Sequence, residues 1–267
     1  MRRNTFFWGS VFILAGFLFL LDNLGIIRID VWSLIWPLVL IALGVWTLSG
    51  VLFRRPASSE HINIPLEGAS KANLQFQHGA GRLRIFSQSM LGDLIEGDFE
   101  GGAEVHSSHA GDQLDVKLNP PVPGFSFPWS GRGFSWSVGI NPDVSLSIDL
   151  ETGANEAQVD LDGLKVSDLH LKSGASSTEL TLPSNAGFTQ VKVEAGAASV
   201  NIHIPSGVAS RIKTSGGPAT RGWLASFNVD TSRFPRSGDG YQSPDYESAI
   251  NKADIEVEMG VGSVMVR

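Results

Sequence analysis

Three successive stretches of the chain, VSLSIDLETGANEAQVDL, LHLKSGASSTELTLP and VKVEAGAASVNIHIP, repeat one pattern between Val144 and Ile204. Each has alternating apolar residues, a small-residue corner built on Gly-Ala, and alternation again. The corner glycines are Gly153, Gly174 and Gly196, and Gly216 follows in a weaker fourth line, RIKTSGGPA, so the spacings are 21, 22 and 20 residues. Apolar side chains at every second position (Val144, Leu146, Ile148, Leu150; Leu169, Leu171; Val200, Ile202, Ile204) give a strand one buried and one wet face. Polar residues such as Ser145, Asp149, His170, Lys172 and Glu194 fill the wet positions. A helix would require a period near 3.6, which these lines lack. One such unit cannot bury its apolar face alone, and stacking on neighbours can. The pattern predicts an all-β domain, a β-solenoid or flattened two-sheet roll of about 20-residue repeats. Antiparallel hairpins with Gly-Ala tips satisfy the same pattern.

The theme recurs outside the core repeat. NLQFQHGAGRLRIFS (73–87) reads as an early rung, with Gly79 and Gly81 at its corner. The segment 94–118 reads as short strands broken by glycine, with Ala103, Val105, Leu114, Val116 and Leu118 inward. After a turn-rich excursion from Ser232 to Asp245, a short helix is expected around Tyr246 to Asn251. IEVEMGVGSVMVR then reads as the terminal strand pair of the stack.

The first 55 residues are of another kind. Thr5 to Leu21 is 17 residues without a charge and Val31 to Phe53 is 23, lengths that suit a hydrocarbon core of about 30 Å. The expected organisation is a transmembrane α-helical hairpin over 1–55, a linker over 56–60 and a β-repeat domain over 61–267. The lipid bilayer is thus the first expected partner, met through residues 5–53. Arg2-Arg3 and Arg54-Arg55 flank the hairpin, which predicts both termini, and the β domain with them, on the cytoplasmic side. The chain's net charge of −7 conceals a basic hairpin and an acidic β domain. A domain of that sign with no basic stripe is a poor nucleic-acid binder, because phosphate neutralisation supplies most of that affinity.

No cysteine is present, and no Gly-x-Ser-x-Gly, phosphate loop or metal tetrad is found. No catalytic residue, cofactor or metal is therefore expected. His106 and His109 form H-x-x-H, but on a strand positions i and i+3 point to opposite faces, so they read as solvent-exposed. The loop 119–142, rich in Pro and Gly, carries Phe125, Phe127, Trp129, Phe134 and Trp136. These five form either a contact surface for a partner or a lid over the open end of the stack.

Two features together carry a resemblance. The hairpin has a Leu21-Asp22-Asn23-Leu24-Gly25 turn and Trp36-Pro37 in its second segment, which resembles the LiaI/LiaF-type transmembrane region. The Gly-Ala repeat with its closing YQSPDYESAINKADIEVEMGVGSVMV is similar to the toast-rack β domain of LiaF-like cell-wall stress proteins and of adhesin-type proteins. The resemblance implies a membrane-bound, non-catalytic regulator that restrains a sensor kinase in envelope-stress signalling. The alternative is an outward-facing structural or adhesin-like scaffold.

Overall fold

The computed structural model describes residues 59–121, 134–216 and 225–267, together with helical residues 36, 37, 39–41 and 44. The chain divides into two compact units, with the β strands in the second, Ala57–Phe127 and Arg132–Arg267. In the first unit, Trp36, Val39, Leu40 and Ile41 are exposed apolar residues on helical backbone. The remainder of the expected hairpin lies outside the described residues.

The second unit is all β. Its parallel rungs are β2 (Lys71–Ser87), β7 (Ser145–Asp160), the split rung β8 (Lys165–Ser173) and β9 (Ser177–Thr181), and β10 (Phe188–His203). β15 (Asn251–Val266) and the split rung β11 (Val208–Gly216) and β12 (Ala225–Val229) complete the series. β2 pairs with β7 from Lys71↔Ser145 through Ile85↔Val159, and β10 pairs with β15 from Phe188↔Lys252 through Ile202↔Val266, all parallel. Of the two arrangements left open by the sequence, the repeat therefore takes rung-on-rung stacking. Antiparallel pairing is confined to the flanks. There β1 (Ser59–Pro65), β3 (Asp93–Glu100) and β6 (Phe134–Ile140) extend the second half of β2, while β5 (Gln113–Asn119) and β4 (Glu104–Ala110) extend its first half. β13 (Arg236–Ser237) and β14 (Gly240–Gln242) pair with each other beside β11.

Each rung bends at its corner glycine, so the continuous sheet folds into two layers over one core. The mechanism is a change of parity. In β7, Leu146, Ile148, Leu150 and Thr152 face in, Gly153 and Ala154 both face out, and Asn155, Ala157 and Val159 face in again. The other ends are closed by short returns: Leu161 to Leu164, Leu182 to Gly187 and Ile204 to Gly207. Such returns span the roughly 10 Å between packed sheets. The core columns Leu74, Ile148, Leu169, Val191 and Ile255 in one layer, and Leu83, Ala157, Val200 and Val264 in the other, are at most 2% exposed. Each large aliphatic side chain in these columns contributes on the order of 1.5–3 kcal/mol by leaving water.

Stacking also explains the glycines. The corner residues lie in one column, and a Cβ on Gly174 would come 2.9 Å from the Gly153 carbonyl oxygen, on Gly196 3.0 Å from that of Gly174, and on Gly260 2.7 Å from that of Gly196. Carbonyl-to-amide bonds run through the bend, as in Gly174 N to Thr152 O at 2.8 Å and Ala197 N to Gly174 O at 2.8 Å. The backbones are therefore pulled together where a side chain would hold them apart.

Two expectations are corrected. The final strand β15 is not terminal: it lies between β10 and β11, parallel to both, so the last rung in sequence is interior in space. The segment from Tyr246 to Asn251 is no helix but a single turn, closed by Tyr246 N to Ser243 O at 3.2 Å and Ala249 N to Asp245 O at 2.9 Å, and β15 has begun by Asn251. Tyr246 anchors that turn by donating to Asp254, with the Arg211 guanidinium 4.3 Å over its ring. Burial and the Asp254 carboxylate push its hydroxyl up to about 12.

Candidate functional site

The first-rung end of the corner column brings several features together. Gly81 follows the corner of β2 at φ 129°, and a Cβ there would collide with the Phe134 backbone. That absence lets β6 start directly against β2, with Gly81↔Phe134 and Leu83↔Trp136 in register. Phe134 is half-buried and Trp136 is 1% exposed. Trp136 meets Phe99 at 5.3 Å and His78 at 5.1 Å between ring centroids, both edge-on. Of the five aromatics read as either a contact surface or a lid, Trp136 is committed to the core, because FSWSV is a strand whose alternate residues face inward. Phe134 packs against the same core. Phe125, Phe127 and Trp129 lie outside the described residues.

His78 is buried beneath this end of the stack, and its Nδ1 lies 3.2 Å from Asn155 Nδ2. Burial holds its imidazole below the usual range, and the nearby Phe134 backbone opposes that only partly. Burial thus favours the neutral ring, hydrogen-bonded to the Asn155 amide. Further along, the inner corner is lined by small polar groups, Thr152, Ser173, Ser176 and Thr178, with Ser173 and Ser176 hydrogen-bonded to each other. The same column continues through Ala195 to the buried Met259.

Outside the corner runs an open groove of about 750 Å³, reaching from Gln77 and Pro120 past Glu151, Lys172 and Glu194 to Glu258. Its charged wall, Glu151, Lys172, Glu194 and Glu258, joins a wider network of pairs within and between rungs on the outer face. Lys192 Nζ lies 2.7 Å from Glu194, His170 Nε2 3.3 Å from Glu194, His170 Nδ1 3.7 Å from Asp149, and Lys172 Nζ 3.8 Å from Glu151. The Lys192 ammonium, chiefly through its hydrogen bond, lowers the pKa of Glu194 and has its own raised in return. All these side chains are partly solvated, so the pairs add little stability and serve mainly as a charge pattern. Among the described residues no three His, Asp, Glu or Cys side chains converge as metal ligands. His106 and His109 lie exposed on edge strand β4, and His109 Nδ1 sits 3.6 Å from Glu67. The groove can hold an extended or charged surface by contact.

Ser59, the first described residue of β1, pairs with Glu100, and Glu100 with Ser135. The chain thus enters the β unit two strand spacings, about 10 Å, from where the aromatic loop returns at Phe134.

Comparison with known proteins adds family and fold. The family described as the N-terminal domain of toast_rack, DUF2154, matches residues 53–203, and the LiaI-LiaF-like transmembrane region matches residues 6–48. No curated protein sequence matches the chain. Among solved structures, a candidate cell adhesion protein from Clostridium sporogenes ATCC 15579 superposes with a TM-score of 0.69 at 20% identity, covering 79% of this chain and 99% of that one. A candidate adhesin from Bacteroides fragilis NCTC 9343 covers 79% of this chain and 97% of its own at 9% identity, with a TM-score of 0.31. The first of these shares the fold; the second supports no argument.

Proposed function

Because this chain belongs to the toast-rack family and carries a LiaI-LiaF-like transmembrane region, we propose that it is a membrane-anchored regulator that works by contact and without chemistry. Its β domain faces the cytoplasm, and its partner is an integral membrane protein of the sensor-kinase kind in cell-envelope stress signalling. The contact is made by the aromatic loop through Phe125, Phe127 and Trp129. The observation that supports this is the meeting of chain entry and loop root. Ser59, Pro121 and Phe134 all lie at the corner end of the first rungs, so the chain enters the β unit and leaves it into the loop at the same end. A loop rooted there favours a membrane-embedded partner over one that diffuses freely. Aromatic side chains are well suited to such an interface, since they bury large area at low conformational cost.

The test is photo-crosslinking in native membranes, with the probe at position 129 or, as control, at position 158 on the exposed face of β7. An integral membrane protein captured only from position 129 is the expected result. Recovery of none, in stressed and unstressed cells alike, overturns the reading. The adhesin-like alternative is separated by topology. Protease added to intact cells spares a cytoplasmic β domain and clips an exterior one.

A further inference from the structure

We propose that β12 is a homotypic pairing edge, through which a second copy of this chain adds its own β12 antiparallel to the first. Sheet edges with unpaired amides and carbonyls recruit other strands unless they are protected by charge, proline or shortness. The other edges carry those devices. β1 has Glu60, His61 and Pro65; β4 has Glu104, His106 and His109; β13 is 2 residues long, bears Arg236 and follows Pro235. β12, ASFNV, has none of them, and among the described residues its only strand partner is β15. Asp230 follows directly, but its carboxylate is turned back on its own bend, accepting from Ser232 N at 3.0 Å and Ser232 Oγ at 2.6 Å.

The edge is complementary to itself. An antiparallel pair centred on Phe227 sets Phe227 against Phe227, Ser226 against Asn228, and Ala225 against Val229 of the second copy. Polar residues then meet polar ones on the outer face, where Ser226 and Asn228 are exposed, and apolar ones meet on the inner face, where Phe227 is only half-buried in one copy. Such cross-strand pairs are the units of sheet stabilisation. Charge selects the same place. The domain carries a strong excess of acids over bases and repels its own kind over most of its surface. Beside β12, however, the outward residues Ser263 and Met265 of β15 are uncharged, and Met265 is 42% exposed. A second copy can approach there without bringing like charges together. This inference does not depend on which membrane protein, if any, the aromatic loop meets.

The chain has no cysteine, so disulfide trapping reads the geometry directly. Full-length chains in nanodiscs are prepared as S226C and as N228C with different tags. Directly opposed residues in an antiparallel pair have Cα atoms about 4.5–5.5 Å apart, within disulfide reach, whereas each substituted position is displaced beyond about 7 Å from its own copy. Under mild oxidation the mixture is expected to give the mixed-tag dimer while either variant alone does not. A third variant, N228K, places a charge on the exposed face of the edge and is expected to turn a dimer, by light scattering, into a monomer with an unchanged circular dichroism spectrum. Absence of the mixed-tag adduct, equal crosslinking by the single variants, or a dimer that survives N228K overturns the proposal.

Discussion

The glycine column offers a quantitative test, because three glycines separate two reasons for being glycine. Gly187 sits at φ 77° with nothing within 4 Å of an added Cβ, so alanine there meets only backbone strain, about 1–2 kcal/mol. Gly174 is the converse: its φ lies outside the left-handed region, but an added Cβ comes 2.9 Å from the Gly153 carbonyl oxygen. That oxygen belongs to the next rung and cannot swing aside like a flexible side chain, so overpacking of about 1–3 kcal/mol is expected. Gly262 combines both, with φ 127° and a Cβ that would overlap the Ala198 carbonyl. The strain there is of order 1–3 kcal/mol and adds to the packing cost, for a total of about 2–6 kcal/mol. Urea unfolding of the detergent-solubilised chain, read by pulse proteolysis, resolves these values. At a slope of about 2–3 kcal/mol per molar, Gly187→Ala moves the midpoint by about 0.3–1 M and Gly262→Ala by about 0.7–3 M. If Gly174→Ala moves it by less than about 0.2 M, the rungs relax around a methyl group, and close approach is not why glycine stands at the corner.

Other measurements probe the remaining claims. Trp136→Ala is expected to cost about 3–5 kcal/mol by emptying the core between Phe99 and His78, while Trp129→Ser leaves the urea midpoint unchanged and abolishes capture of a membrane partner by a probe placed instead at position 127. For pH, the folded pKa of His78 is depressed by burial from an ordinary value of 6.5. Its contribution to stability is therefore complete above 6.5 and declines as pH falls from there through the folded pKa, because the unfolded chain takes up the proton first. His78→Gln should flatten the loss of stability below pH 6.5 relative to wild type, measured as urea midpoints from pH 7.5 to 5. Stopping the chain before Asn251 removes an interior rung, and the domain is expected to lose cooperative unfolding altogether.

The repeat was legible in sequence because each rung carries its own alternation and its own glycine. Leu146, Ile148 and Leu150 point inward whatever lies beside them, so local pattern sufficed to identify β7, β10 and the first rung, β2. Spatial order was not legible. Ile255, Val257, Val264 and Val266 present the same alternation to a neighbour on either side, and only long-range pairing decides that β15 lies between β10 and β11. The corner groove was hidden for a related reason: Gln77, Glu151, Lys172 and Glu194 become neighbours only once the rungs are stacked. Trp136 was readable in principle. Phe134, Trp136 and Val138 alternate like any strand, but the proline- and glycine-rich residues before them masked that signal. The turn at Tyr246 came from Ser243, Asp245 and Ser248, whose short polar side chains favour turns over helix. His78 buried as a neutral ring has no local signature; its role depends on Asn155, 77 residues away.

The inward position of β15 sets an order of events during synthesis. β10 and β11 emerge from the ribosome well before the strand that must lie between them, so neither can complete its hydrogen bonding until that later strand arrives. A nascent chain interrupted anywhere in between therefore displays two raw edges to the cell's proteases and chaperones. The last strand threaded into place acts as a keystone for the β unit.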